Sequence, residues 1–427
     1  MAGSQPRSLK PWQIAFAGML ALAVAMGIGR FAFTPLLPMM LADGAVNLTT
    51  ASWLASANYL GYLVGALWCT VQPGLWRRLG NLPPVNSPAM VRLGLSATVL
   101  LTLCMAVYLP VAWPLMRFAA GVASALVFVY TSGWCLAHLA RLHQPSMGAV
   151  IYAGPGCGIV LSGLAASGMV NLRWSAATGW VISGLLAAAL TAVVWRVFDP
   201  RRDLPSATTT SPPVVPGAGN AAPQVRTRTH ANTEIALLAI AYGVAGFGYI
   251  ITATFLPVIA RQGLPASPWL DLFWPIFGAG VISGALIASR MRPARDLRLR
   301  LAACYALQAL GIGTSLAYPS LTGFALGSLL LGLPFTAISF FGMQEARRLR
   351  PAQAASLMGL LTAVYGLGQI VGPPLVALLL SHSKTLGAGF SLSLEIAAGT
   401  LLLGAGIYLV MVRTFPLQAA PGLTASG

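Results

Sequence analysis

The chain has 427 residues, of which 57% are hydrophobic and only 8% charged, with a mean hydropathy of +0.78. A soluble domain carries roughly 25% charged residues, so water cannot be the solvent for most of this surface. The formal net charge of +17 would suit a nucleic-acid binder, but the cations fall in short breaks between apolar runs rather than in one patch.

Runs such as 95–107 and 401–412 are continuously apolar, without the alternation of a barrel strand. A helix closes its backbone hydrogen bonds within one segment, as hydrocarbon requires. The polar start, with Arg7 and Lys10, leads into an apolar stretch longer than a signal-peptide core, which reads as a retained first helix. Spans are predicted at 12–40, 51–72, 92–109, 112–136, 147–170 and 175–195. Residues 198–232 are rich in Pro, Thr, Ala and Arg, with Pro212-Pro213 and Gly217-Ala218-Gly219, and read as a flexible linker. Six further spans follow at 233–260, 269–289, 299–317, 321–344, 354–380 and 388–412. The expected organisation is therefore 1–197, a linker at 198–232, and 233–427.

Twelve spans with a cytoplasmic N-terminus put 20 Lys and Arg residues on the cytoplasmic side. Only Arg173, Arg261 and Lys384 fall outside, so both termini are expected in the cytoplasm. The two blocks look like copies. A gapless shift of 219 residues sets Gly27, Gly29, Leu37 and Pro38 on Gly246, Gly248, Leu256 and Pro257, and Gly61 and Gly65 on Gly280 and Gly284. Six spans per copy make the repeat parallel. The expected fold is an all-α membrane protein of twelve transmembrane helices in two pseudo-symmetric six-helix bundles.

Several motifs carry a family resemblance. Arg117-Phe-Ala-Ala-Gly121 resembles the Arg-x-x-x-Gly motif of the major facilitator superfamily, and Gly154-Pro155-Gly156-Cys157-Gly158 its Gly-Pro-rich antiporter-type motif. The loop Gly74–Gly80 keeps the basic Arg77 and Arg78 of the loop signature but lacks its Asp. Gly27-Ile-Gly29-Arg30-Phe31-Ala-Phe-Thr34-Pro35-Leu-Leu-Pro38 and Gly368-Gln369-Ile-Val-Gly372-Pro373-Pro374 resemble the YbfB/YjiJ-like branch. The resemblance implies a secondary transporter working by alternating access, with helices 1, 4, 7 and 10 lining its cavity.

Ionisable groups inside spans are costly and so are the first functional leads. Arg30 and Thr34 share a helix face, and a guanidinium grips carboxylate or phosphate as a planar fork. If the resemblance holds, Arg30 and Arg117 face one cavity and the solute is anionic. The alternative is that each pairs with Asp43, Asp271 or Glu395, or with backbone carbonyls. Glu395 is a candidate proton carrier or a partner in an ion pair, and Asp271 a second candidate or a helix cap. Asn58 and Tyr62, Tyr365 and Gln369 are same-face pairs, and Tyr249 holds the repeat position of Arg30. These either orient a solute or bond helix to helix. Glu345 and Arg347-Arg348-Leu349-Arg350 read as a local ion-pair and orientation feature.

The five cysteines form no CxxC pair, the four histidines no HExxH, and there is no P-loop. No metal, cofactor or direct use of ATP is expected. The reading is a secondary active transporter, working as a monomer in a bacterial inner membrane, that moves a small organic solute, with protons as the coupling ion. The alternatives are efflux of hydrophobic or cationic compounds, and a sensor or lipid-handling protein on the same fold. An enzyme would need clustered catalytic groups at one depth, which the sequence does not offer.

Overall fold

The structure is a computed structural model and describes residues 9–79, 85–144, 147–202, 228–291, 296–350 and 354–417. Among these residues there is no strand, and twelve helices follow one another. They are α1 (Pro11–Ala42), α2 (Leu48–Leu79), α3 (Ser87–Cys104), α4 (Trp113–Arg141), α5 (Gly154–Asn171) and α6 (Ala176–Val194). The second half supplies α7 (Arg228–Gly263), α8 (Phe273–Arg290), α9 (Leu297–Ala317), α10 (Leu321–Leu349), α11 (Ala354–His382) and α12 (Leu386–Thr414). Eleven stretches are long and apolar enough to cross a membrane. The fifth expected span is the exception, because it breaks at Tyr152-Ala153 into a single turn, Gly148–Ile151, and the 18-residue α5.

Local chemistry explains most helix starts. Asn86, Ser175, Ser320 and Thr385 each accept a backbone N–H two or three residues into the helix that follows, satisfying donors that the first turn leaves free. The prolines interrupt rather than end helices: α10 breaks at Leu333-Pro334, and α1 changes pitch before Pro35. Both ends of the expected linker, 198–232, carry described residues. Phe198 is buried against Trp134, with ring centroids 5.3 Å apart, and α7 begins at Arg228. The rest of that segment, 203–227, lies outside the described residues.

Helices α1 and α7 are the most enclosed, with 89% and 72% of their apolar windows buried, against 33% for α3 and α12. Each half packs largely within itself, as α2 on α4, α3 on α4 and α6, α7 on α11 and α12, and α9 on α10 and α12. Contacts between halves run α2 to α11 and α5 to α8, two pairs that a shift of six helices exchanges. The first and seventh helices meet through the last segment of α1, Phe33–Ala42.

Close packing follows the repeat. A Cβ on Gly61 would overlap the Phe118 carbonyl of α4, and one on Gly65 would come 2.9 Å from Val122 O. At the equivalent Gly280 and Gly284 of α8, a Cβ would crowd the Leu329 carbonyl of α10, at 2.7 Å, and overlap that of Leu333. Small residues let helix backbones touch where lipid supplies no hydrophobic push. The Gly-Pro motif of α5 divides the same work. Gly154 and Gly158 lie against the α1 backbone, while Gly156 lies against Gly278 and Ile282 of α8.

Candidate functional site

The centre of the molecule is built on an irregularity in α1. Residues Ala23–Arg30 form a π-helical stretch, after which the chain resumes an α-helix at Phe33. Such stretches leave carbonyls without backbone donors. Pro35 has no N–H, and Thr34 N donates to Phe31 O at 3.2 Å, so Arg30 O is left over. Arg117 of α4 takes it. Its Nη2 donates to Arg30 O at 3.1 Å and its Nη1 to Gly29 O at 3.3 Å. Asn58 Nδ2 in turn donates to Arg117 O at 2.9 Å. Arg117 and Asn58 therefore reach the site, but their hydrogen bonds hold backbone in place.

Arg30 is differently engaged. It is 3% exposed, and its Nη2 donates to the side-chain carbonyl of Gln369 on α11 at 2.7 Å. Gln369 Nε2 passes the chain on to the hydroxyl of Tyr249 on α7. The guanidinium carbon sits 4.2 Å from the Tyr62 ring centroid, 5.1 Å from that of Tyr59 and 5.3 Å from that of Phe31. Tyr365 stacks on Tyr249 with centroids 5.8 Å apart, and Phe335 closes the far side of Tyr249 at 5.0 Å. Arg30 Nε has no hydrogen-bond partner.

The two repeats meet here in register. Arg30 and Tyr249, related by the 219-residue shift, are joined through Gln369. Thr34 Oγ1 donates to Ala253 O at 2.9 Å, and these two residues are also 219 apart. Tyr59 to Thr254, at 2.9 Å, and Ser56 to Ile370 O, at 2.9 Å, add two more links between halves. Of the residues singled out in the sequence, Arg30, Thr34, Tyr249, Tyr365 and Gln369 come together with Tyr62. Tyr59, Ser56 and Thr254 join them without having been singled out; Tyr59 lies one position after Asn58 and one turn before Tyr62, which was the available signal.

The acidic candidates stand elsewhere. Asp271 lies in the turn Pro268–Leu272 ahead of α8 and pairs with Arg261. Asp43 accepts the Ala176 N–H at 2.6 Å, at the start of α6. Glu395 is exposed on α12, with no hydrogen bond or ion pair among the described residues. The pairing of Arg30 or Arg117 with Asp43, Asp271 or Glu395 is thus not what the structure has, and neither guanidinium contacts any carboxylate among the described residues. Burying a charge without a counter-charge is expensive, and the side-chain acceptor that Arg30 has is the neutral amide of Gln369.

A second charged group lies at the end of the bundle from which α7 starts. Arg298 of α9 is fully buried and donates to Glu234 at 3.0 Å, to Asp296 at 2.7 Å and to Met411 O at 3.1 Å. Arg348 donates to Glu234 at 2.8 Å and to Glu345 at 2.5 Å. Glu345 thus makes the expected local pair and is also part of a network joining α7, α9 and α10.

Residues 22–409 match the family model MFS_4, described as "Uncharacterised MFS-type transporter YbfB". The chain belongs to this family of major facilitator transporters. Two solved structures, of the nucleoside transporter NupG and of a point mutant of that protein, share the fold, with TM-scores of 0.66 and 0.67. They are 15% and 17% identical in sequence, and the similarity covers 94% of this chain and 99% of each of theirs. A search of curated proteins finds no match. The chain is thus a multi-pass membrane transporter of the major facilitator type.

Proposed function

We propose that this transporter moves a small organic anion by alternating access, driven by an ion gradient, with protons as the coupling ion. The observation that carries the reading is Arg30: a guanidinium buried where the two repeats meet, ringed by Tyr62, Tyr59 and Phe31, and facing an amide instead of a carboxylate. A carboxylate arriving there exchanges a neutral hydrogen bond for a charge-assisted one. Arg117 supports this by fixing the carbonyls that bracket Arg30, and Gln369 and Tyr249 by turning their polar ends to the same point. With the N-terminus in the cytoplasm, the Thr34–Ala253 and Tyr59–Thr254 links close the external side, and the solute enters from the other. The protein works in a bacterial inner membrane as a single chain, since both repeats of the site come from one polypeptide.

The test is a thermal-stabilisation screen of purified protein across carboxylates, sugars, amino acids and lipophilic cations, followed by flux of the best ligand in proteoliposomes. A carboxylate should stabilise the protein most, and its flux should follow an imposed pH gradient. Stabilisation by sugars or cations alone would refute the anion site. Binding without flux or counterflow would favour a sensor.

A further inference from the structure

A groove lies on the outer wall of the N-terminal half, between α3 and α6. The groove there has a volume of about 450 Å³ and is lined by Ser96, Val99 and Leu100 from α3, with Ala188, Thr191, Ala192, Trp195 and Arg196 from the end of α6. We propose that it holds an anionic phospholipid, with the phosphate on Arg196, the ester region at Thr191 and Ser96, and an acyl chain along Val99, Leu100 and Ala188.

The order of chemistry along both walls is that of the ligand. On the α6 side, reading away from the polar end, the chain runs from the cation Arg196 to the hydroxyl of Thr191 and then to Ala188. Thr191 lies in the last turn of α6 and Arg196 just past its end at Val194. On α3, which runs the opposite way, the order from the same end is Arg92, Ser96, then Val99 and Leu100. Thr191 lines the groove and is 7% exposed, and its hydroxyl, buried beneath that surface, lacks any partner. A buried hydroxyl without a partner is costly, and a turn of the Thr191 side chain toward the groove would offer it a lipid ester as acceptor.

The polar end is held rigid before any lipid arrives. Arg92 donates to Trp195 O through Nη2 at 2.7 Å and Nε at 3.1 Å, and its guanidinium lies 4.7 Å from the Trp195 ring centroid. Arg196, by contrast, is exposed and makes no ion pair or hydrogen bond among the described residues. A tryptophan at headgroup level beside paired arginines is the composition expected of an interfacial anchor and an anionic headgroup site. Another surface groove, between α7 and α12, serves as a contrast: Leu237, Leu402, Leu403, Gly406, Ile407 and Val410 line it, with no cation or hydroxyl. It suits a lipid tail with no preference for the head.

Native mass spectrometry of the purified protein with equal phosphatidylglycerol and phosphatidylethanolamine reads this directly. The parent protein should retain phosphatidylglycerol in preference, by about fivefold for one surface cation. Arg196→Ala should bring that preference close to parity, and Thr191→Val should lower retention of both lipids. Arg290→Ala, which removes a cation at the end of α8, should change neither. Equal loss of preference in Arg196→Ala and Arg290→Ala would show bulk charge attraction and overturn the site, as would a parent protein without preference. A matching melting temperature and elution volume for each variant separates lost lipid from lost fold.

Discussion

An Arg30→Ala protein is expected to bind its anionic solute about 100-fold more weakly than the parent, or worse, while still folding. Truncating one member of a buried charge pair costs 2–5 kcal/mol or more, so two decades of affinity is the modest end of that range. The loss should be specific because no other guanidinium substitutes. Arg117 is beside Arg30, but both of its terminal nitrogens are committed to Gly29 O and Arg30 O. Arg30→Lys keeps the charge and loses the planar fork, and should fall between the two, by about tenfold. The cost to the fold is limited to the Gln369 carbonyl left without a donor, about 1–3 kcal/mol. Isothermal titration with the carboxylate that best stabilises the parent reads the affinity, and the melting temperature reads the fold. Unchanged affinity in Arg30→Ala would remove the proposed anion site.

Arg298→Ala should do the reverse: a large loss of stability with the solute site intact. Arg298, Glu234 and Glu345 are fully buried, and Arg298 ties α9 to the start of α7, to its own cap Asp296 and to the α12 backbone at Met411. Removing it takes one of two arginines from the carboxylates of Glu234 and Glu345, which Arg348 also holds. Breaking a buried ionic group in this way costs about 3–5 kcal/mol. The variant should therefore unfold at markedly lower temperature in detergent, while any folded fraction keeps the parent's affinity at Arg30. A melting temperature unchanged from the parent would show that the network is solvated and carries little of the fold.

Much of the fold was legible because hydrocarbon leaves a chain few choices. The apolar spans, the 219-residue shift and the small-residue faces each point to helices packed in repeats, and Gly61, Gly65, Gly280 and Gly284 do meet corresponding backbones. The same shift pairs Arg30 with Tyr249, and the four-residue spacing of Tyr365 and Gln369 puts both on the face that reaches them. Arg117 shows where such reading stops. Its partners are carbonyls freed by a change of helical pitch, and no sequence pattern announces which backbone oxygens a π-helical stretch and a proline will strand. The surroundings of Glu395 were not legible either. A helix that is apolar around its whole girth gives no polar face from which to tell inward from outward, and α12 turns Glu395 out. Arg298 belongs to a run of four arginines at 292–300, and no pattern in that run marks it as the buried residue that tertiary packing makes it.

Flux through a protein whose halves are tied together bears most directly on two repeats moving against one another about the Arg30–Tyr249 meeting point. Thr34 and Ala253 touch across the repeat axis, so cysteines at both places lie within reach of a short bifunctional, reducible thiol reagent. The background must lack the free thiols of Cys69, Cys104, Cys135, Cys157 and Cys304. Solute counterflow should stop when the pair is linked, return when the linker is reduced, and persist throughout in each single-cysteine control. Counterflow at the parent rate in fully linked protein would contradict the account.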